Sequence, residues 1–166
     1  MKDHLHRQTR TWSIGLCLTV ALLLITQLVN AQITQTFNSS GTFVVPAGVS
    51  QVTVECWGGG GRGSTRTSNG AGGGGGGGAY SRSTISVIEG NSYTYTVGAG
   101  SNSASPGGDS WFINATTVMA EGGNSVANNT SGGATGGAAG SGFGTVKFSG
   151  GNGANGGSTG GGAGSS

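Results

Sequence analysis

Past residue 31 the side chains able to move protons, attack a carbonyl or hold a metal are few. The carboxylates are Glu55, Glu89, Asp109 and Glu121, the cations Arg62, Arg66, Arg82 and Lys147, the thiol Cys56, and both histidines, His4 and His6, lie upstream. Nucleophilic catalysis needs a base within reach of a serine or cysteine. With no histidine beyond position 6, and Lys147 at no recognisable spacing from a serine, that base is missing. Paired-carboxylate hydrolysis needs two acids held across a cleft, whereas these four fall singly at strand faces and turns. Zinc asks for more than one thiol. Calcium asks for several oxygen ligands where Gly107-Gly108-Asp109 offers one acid. A phosphate loop needs a Gly-Lys-Ser/Thr that never follows the glycines. The expectation is no enzyme, no catalytic or metal residues and no cofactor.

What the chain does supply is hydroxyls, amides and guanidinium groups, concentrated in three stretches framed by glycine. Residues 62–69 read Arg-Gly-Ser-Thr-Arg-Thr-Ser-Asn, residues 101–106 Ser-Asn-Ser-Ala-Ser-Pro, and residues 124–131 Asn-Ser-Val-Ala-Asn-Asn-Thr-Ser. Such groups hydrogen-bond a sugar or a protein surface. Arg62, Arg66, Asn69, Asn102, Asn128 and Asn129 are therefore the candidate ligand-binding residues, and solvated turns are the alternative reading of the same stretches.

The segments that frame these stretches are made of glycine, 39 residues of 166. Seven occur in a row at 72–78, between Trp57-Gly58-Gly59-Gly60-Gly61 and Ala79-Tyr80-Ser81-Arg82. Glycine loses more conformational freedom on ordering than any other residue, on top of the roughly 1–2 kcal/mol that ordering any backbone costs. The run is either a flexible linker or ordered through its backbone alone. The ordered option is an extended helix of the polyproline-II type, about 3.1 Å per residue and so about 22 Å for the run. Having no internal hydrogen bonds, it must pair with neighbours. Further glycine-dominated stretches at 98–100, 107–108, 122–123, 132–140 and 150–164 could be those neighbours.

The first 31 residues have another purpose. Lys2, Arg7 and Arg10 precede an apolar run from 14 to 29, and Val29-Asn30-Ala31 offers small residues for cleavage, which reads as a secretory signal peptide. The run is short of a membrane span and is broken by Thr19, Thr26 and Gln27, so no stable span is expected once it is removed. Cleavage takes Lys2, Arg7, Arg10 and Asp3 from the formal +2 chain and leaves a neutral one. No basic patch then argues for nucleic acid. It also takes Cys17, leaving Cys56 alone and no internal disulfide. A secreted or cell-surface location follows. The sequons at Asn38, Asn114, Asn128 and Asn129 matter only in a host that glycosylates.

No stretch beyond the signal has helical periodicity. Alternation predicts strands at 33–37 and 42–45, joined as a hairpin by Asn38-Ser39-Ser40-Gly41, and at 49–57, where Val52, Val54 and Cys56 face one way and Thr53, Glu55 and Trp57 the other. Further strands are expected at 79–88, 92–97, 110–113, 118–121 and 145–148, with Glu89-Gly90-Asn91 a short turn, Asn114-Ala115-Thr116 a hairpin turn, and Asp109 orienting the turn before it. The fold class expected is all-β, a small β-sandwich-like domain with packed polyglycine-II segments after a cleaved N-terminal signal helix. Its organisation is signal 1–31, glycine-rich β domain 32–148 and glycine-rich tail 149–166.

Several motifs in order carry a resemblance: Gly41-Thr42-Phe43-Val44-Val45-Pro46-Ala47-Gly48-Val49, Val52-Thr53-Val54-Glu55-Cys56-Trp57 with its glycines, the long run with Ala79-Tyr80-Ser81-Arg82, Tyr93-Thr94-Tyr95-Thr96-Val97-Gly98-Ala99-Gly100, and Gly107-Gly108-Asp109-Ser110. Together they resemble the bacterial glycine-rich domain of secreted and surface proteins, whose relatives include phage tail-fibre adhesins and, more distantly, the glycine-rich region of anaplastic lymphoma kinase receptors. The resemblance implies packed polyglycine-II helices on a β scaffold and, as in the adhesins, recognition by loops between glycine segments. It also implies a closing apolar strand, so that strand or a further domain of the same polypeptide is expected beyond residue 166. The function expected is non-covalent adhesion to a surface glycan or protein receptor. The alternative is a passive structural or spacer domain of an extracellular matrix or multidomain surface protein. An ice-binding face lacks its regular Gly-X-X spacing, and a hydrolase lacks its groups.

Overall fold

The computed structural model describes residues 33–157; the expected signal peptide falls outside them. The chain divides into an N-terminal unit ending at Thr36 and a second unit from Phe37. Residues 33–36 of the first carry no regular secondary structure. Among the described residues no helix is present and seven strands form, all in the second unit: β1 (Gly41–Val44), β2 (Gln51–Trp57), β3 (Tyr80–Ser86), β4 (Ser92–Thr96), β5 (Ser110–Phe112), β6 (Val118–Ala120) and β7 (Val146–Phe148).

These strands make two antiparallel sheets, ordered β1-β4-β5-β6 and β2-β3-β7. The hairpin expected between 33–37 and 42–45 does not form. Residues 33–37 enter no ladder, and β1 pairs with β4, Phe43 lying opposite Tyr93. Side-chain packing explains this: the Phe37 ring lies 4.5 Å from that of Tyr95 and 6.5 Å from that of Phe43, so it adds to the aromatic cluster from outside the ladder. The turn at 89–91, with Gly90 at φ 76°, carries the chain from one sheet to the other. Its Gly90 and Asn91 backbone bonds to Val45 fasten it to the end of β1.

Alternation along β2 sends Val52, Val54 and Cys56 inward, where they meet Ile85 and, from the other sheet, Phe43, Tyr93, Tyr95, Phe112, Val118 and Ala120. This core is small. Ile113, at φ 68° after β5, holds a conformation that is costly for a β-branched residue, by about 1–2 kcal/mol, and its side chain packs on the core.

Glycine orders the remainder. Residues 73–77 are buried without a side chain among them. Their backbone bonds recur every third residue, as a three-residue screw requires. Gly58, Gly61 and Ser64 donate N–H to the carbonyls of Ala79, Gly76 and Gly73. Ala79 and Gly76 donate in turn to Glu121 and Asn124, and Gly77 and Gly74 to Gly151 and Ala154. Gly137 and Ala134 donate to Gly77 and Gly74. The central run thus has hydrogen-bonded neighbours around it, parallel and antiparallel, which no β-strand with side chains could accept.

The segment after β7 belongs to the same array. Gly150, Gly153 and Gly156 donate to Gly137, Ala134 and Ser131. Between them Ser149 Oγ, Asn152 Oδ1 and Asn155 Oδ1 accept from the N–H groups of Ala139, Gly136 and Gly133 at 3.0, 3.0 and 2.8 Å. A Gly-X-X period does therefore exist, at 150, 153 and 156, hidden in sequence by the glycines at 151 and 157.

Candidate functional site

The first half of the 62–69 stretch continues the lattice instead of leaving it. Gly123, Val126 and Asn129 donate N–H to the carbonyls of Gly59, Arg62 and Thr65, a parallel pairing with the same period of three. Where the glycines end, the ladder goes on with side chains attached, and residues 62–67 come to lie along residues 125–130.

Four of the six candidate residues are tied across or within this pair. Arg62 Nη2 donates to Asn128 Oδ1 at 2.7 Å and Nη1 to Thr65 Oγ1 at 2.8 Å. Asn129 Oδ1 accepts from the Thr67 N–H at 2.9 Å, and Asn129 Nδ2 donates to Thr67 Oγ1 at 3.0 Å. Asn129 sits at φ 60°, a left-handed conformation that asparagine tolerates better than other side chains. Arg66 folds back on its own turn, Nη2 donating to the Asn69 carbonyl at 3.2 Å. Asn69 enters through that carbonyl. Its side chain is exposed.

Asn102 stands apart from this group. Its loop is closed by Ser101 Oγ, which donates to the Ser105 carbonyl at 2.6 Å, and is joined to the others by Ser125: Ser125 Oγ donates to that same carbonyl and accepts from the Arg62 N–H at 2.7 Å. The three polar stretches are thus linked by backbone and hydroxyl bonds, with the Asn102 side chain exposed on the outermost of them.

The carboxylates are used elsewhere. Asp109 Oδ1 accepts from the Gly122 N–H at 2.8 Å, in a neighbouring glycine segment and not in the turn before it as expected. Glu121 Oε2 accepts from Ala138 N–H at 2.6 Å and Glu89 Oε2 from Gly48 N–H at 2.9 Å. Glu55 faces Arg82 at 3.9 Å, the one ion pair among the described residues. Cys56 is buried, and desolvation pushes its thiol up to about 11, which suits a structural thiol and not a nucleophile. Among the described residues no three His, Cys, Asp or Glu side chains gather as a metal site would require.

A second surface feature was not singled out from sequence. Trp57, Tyr80 and Phe148 lie directly opposite one another across β2, β3 and β7 on the outer face of their sheet. Ring centroids are 5.3 Å apart for Trp57 and Tyr80 and 6.0 Å for Tyr80 and Phe148. Cross-strand aromatic pairs of this kind stabilise a sheet, yet Trp57 and Phe148 remain 61% and 64% exposed. Beside the row, desolvation and the Glu55 carboxylate raise the Tyr80 phenol above its ordinary value, with Arg82 opposing. Strand parity placed Trp57 on this face; the register that aligns it with residues 80 and 148 could not be read without pairing partners.

Comparison with known proteins adds one match. Residues 35–166 fit the model of a family described as a glycine-rich domain. No curated protein matches the chain.

Proposed function

The chain belongs to the glycine-rich domain family, and on that footing we propose that it is a secreted or cell-surface module working by non-covalent adhesion to a surface glycan or protein. The signal-like N-terminus supports export, and the ordered likeness to bacterial surface domains and phage tail-fibre adhesins supports recognition by loops. One observation carries the reading: residues 62–67 and 125–130, rich in hydroxyls and amides, are held side by side by a backbone lattice and by Arg62–Asn128 and Thr67–Asn129 bonds. Polar groups fixed before contact lose less freedom on binding than mobile ones.

The test is binding of the labelled chain to a panel of cells and purified surface polysaccharides, beside a variant carrying Arg62→Ala, Arg66→Ala and Asn69→Ala. Saturable binding that the variant loses while it still unfolds in a cooperative thermal transition is the expected result. Equal binding by both would remove this loop from the account.

A passive spacer or matrix component is the second reading. It is favoured by the engagement of Arg62, Asn128 and Asn129 with partners inside the protein. Self-association without any ligand, together with no binding across the panel, would select it.

A further inference from the structure

Charge at the 62–69 and 125–131 surface is one-sided. All four carboxylate side chains past residue 31 have partners elsewhere: three accept backbone N–H groups and Glu55 faces Arg82. Of the cations, Arg82 has Glu55 and Lys147 Nζ donates to the Gly142 carbonyl at 3.0 Å. Arg62 and Arg66 meet only neutral oxygens among the described residues: Thr65 Oγ1, Asn128 Oδ1 and the Asn69 carbonyl. Both are half-buried, and both Nε atoms are buried without a hydrogen-bond partner. Two guanidinium groups are therefore held partly out of water, four residues apart, with no carboxylate among the described residues to neutralise them. A guanidinium presents five donors. Arg62 uses two in these bonds and Arg66 one.

We infer that this surface takes the oxyanions carried along a sugar polymer, the carboxylates of uronic acids or sulfate esters, with the outer Nη edges of Arg62 and Arg66 on its anionic groups and the neighbouring hydroxyls and amides on ring hydroxyls. The inference rests on the adhesive reading of the same loops and narrows it to acidic glycans. Guanidinium and oxyanion match in charge and in fork geometry, and such bonds are the stronger kind. Nucleic acid fits less well. Two cations do not track a polyphosphate backbone, and residues 62–69, 101–106 and 124–131 contain no aromatic side chain on which a base could stack.

The experiment uses the full chain and measures binding to polygalacturonate, dextran sulfate, neutral dextran and polyglutamate over a range of salt. Two double variants of equal charge are compared, Arg62→Gln/Arg66→Gln and Arg82→Gln/Lys147→Gln. The expected result is binding to polygalacturonate or dextran sulfate that weakens with salt, falls at least about tenfold in the first variant and stays within about twofold in the second. Which of the two polymers binds separates carboxylate from sulfate. Because Arg62 also braces Asn128, Arg66→Gln alone is measured too and is expected to lose part of the affinity at an unchanged melting temperature. Equal losses in the two double variants, or equal binding of polyglutamate, would mean net charge alone and overturn the inference. Binding of neutral dextran as tightly as the acidic polymers would overturn it and leave adhesion standing. No binding to these polymers or to any cell of the panel would overturn both.

Discussion

Cys56 shows how a single residue reports on the core. Its thiol lies among Phe112, Val118 and Ala120 and is pushed from 9.0 to about 11 by burial. Between those values the unfolded chain has released the thiol proton and the folded chain still holds it, so the folded state binds more protons and stability falls as pH rises through this window. The loss is on the order of 2 kcal/mol by the upper end of the window. Urea unfolding under reducing conditions at pH 8 and pH 10.5 should show it in the natural chain and not in Cys56→Ala, which shares every other titrating group. An equal pH dependence in both would place the thiol in contact with water. This residue's role was legible in sequence: parity with Val52 and Val54 along β2 predicted an inward thiol, and an unpaired cysteine in a small β-domain fits a structural one.

At the scale of elements, the glycine run behaves as one more rigid rod. A Cβ on Gly76 would overlap the Thr135 carbonyl oxygen, and one on Gly75 the Gly61 carbonyl oxygen, each of them backbone that is itself hydrogen-bonded or closely packed in the array. Gly132 is different, with nothing within 4 Å of a Cβ there. Gly76→Ala should therefore cost about 3 kcal/mol or more, as overpacking against an immovable neighbour does, while Gly132→Ala is neutral or slightly stabilising. Thermal melts of the two variants decide it; equal effects would mean the lattice opens to admit a methyl group. The strands were legible element by element, since alternation at 42–45, 49–57, 79–88, 92–97, 110–113, 118–121 and 145–148 found each of the seven within a few residues. Residues 33–37 alternate too and form none. Alternation says which faces a strand would have, not whether its backbone enters a ladder: β1 is the edge strand of its sheet and pairs with β4 alone, while Phe37 meets Tyr95 and Phe43 through its ring. The candidate loops were legible as polar stretches between glycines. That 62–65 would continue the lattice, and that Asn128 would meet Arg62, depended on a register of three that glycine repeats conceal.

The whole molecule divides its stability between two different sources. One is the apolar core between the sheets, limited to short strands and a modest set of side chains. The other is the array spanning residues 58 to 156, whose buried surface is backbone amide and Cα–H, not hydrocarbon side chain. Its bonds replace bonds to water, so each adds only about 0.5–1.5 kcal/mol net. Close Cα–H approaches to carbonyls contribute about 0.5–1 kcal/mol each. Ordering glycine is costly, and an isolated helix of this type would not stand; the array is stable only because each helix satisfies several others at once. Unfolding should carry the calorimetric mark of this division. Apolar surface newly exposed to water raises heat capacity, by about 0.45 cal/K/mol per Å², while polar surface lowers it by about 0.26. Opening a lattice of amides adds little or subtracts, so the heat-capacity change per ordered residue should lie well below the ordinary 12–15 cal/mol/K. Differential scanning calorimetry at several pH values gives the quantity directly, as the slope of the unfolding enthalpy against melting temperature. A slope in the ordinary range would mean that side-chain burial carries the fold and the glycine segments are only tolerated. A low slope, with a single cooperative transition, would mean that sheets and lattice unfold together, so that the paired stretches at 62–67 and 125–130, bonded into the lattice, are lost only when the whole fold is.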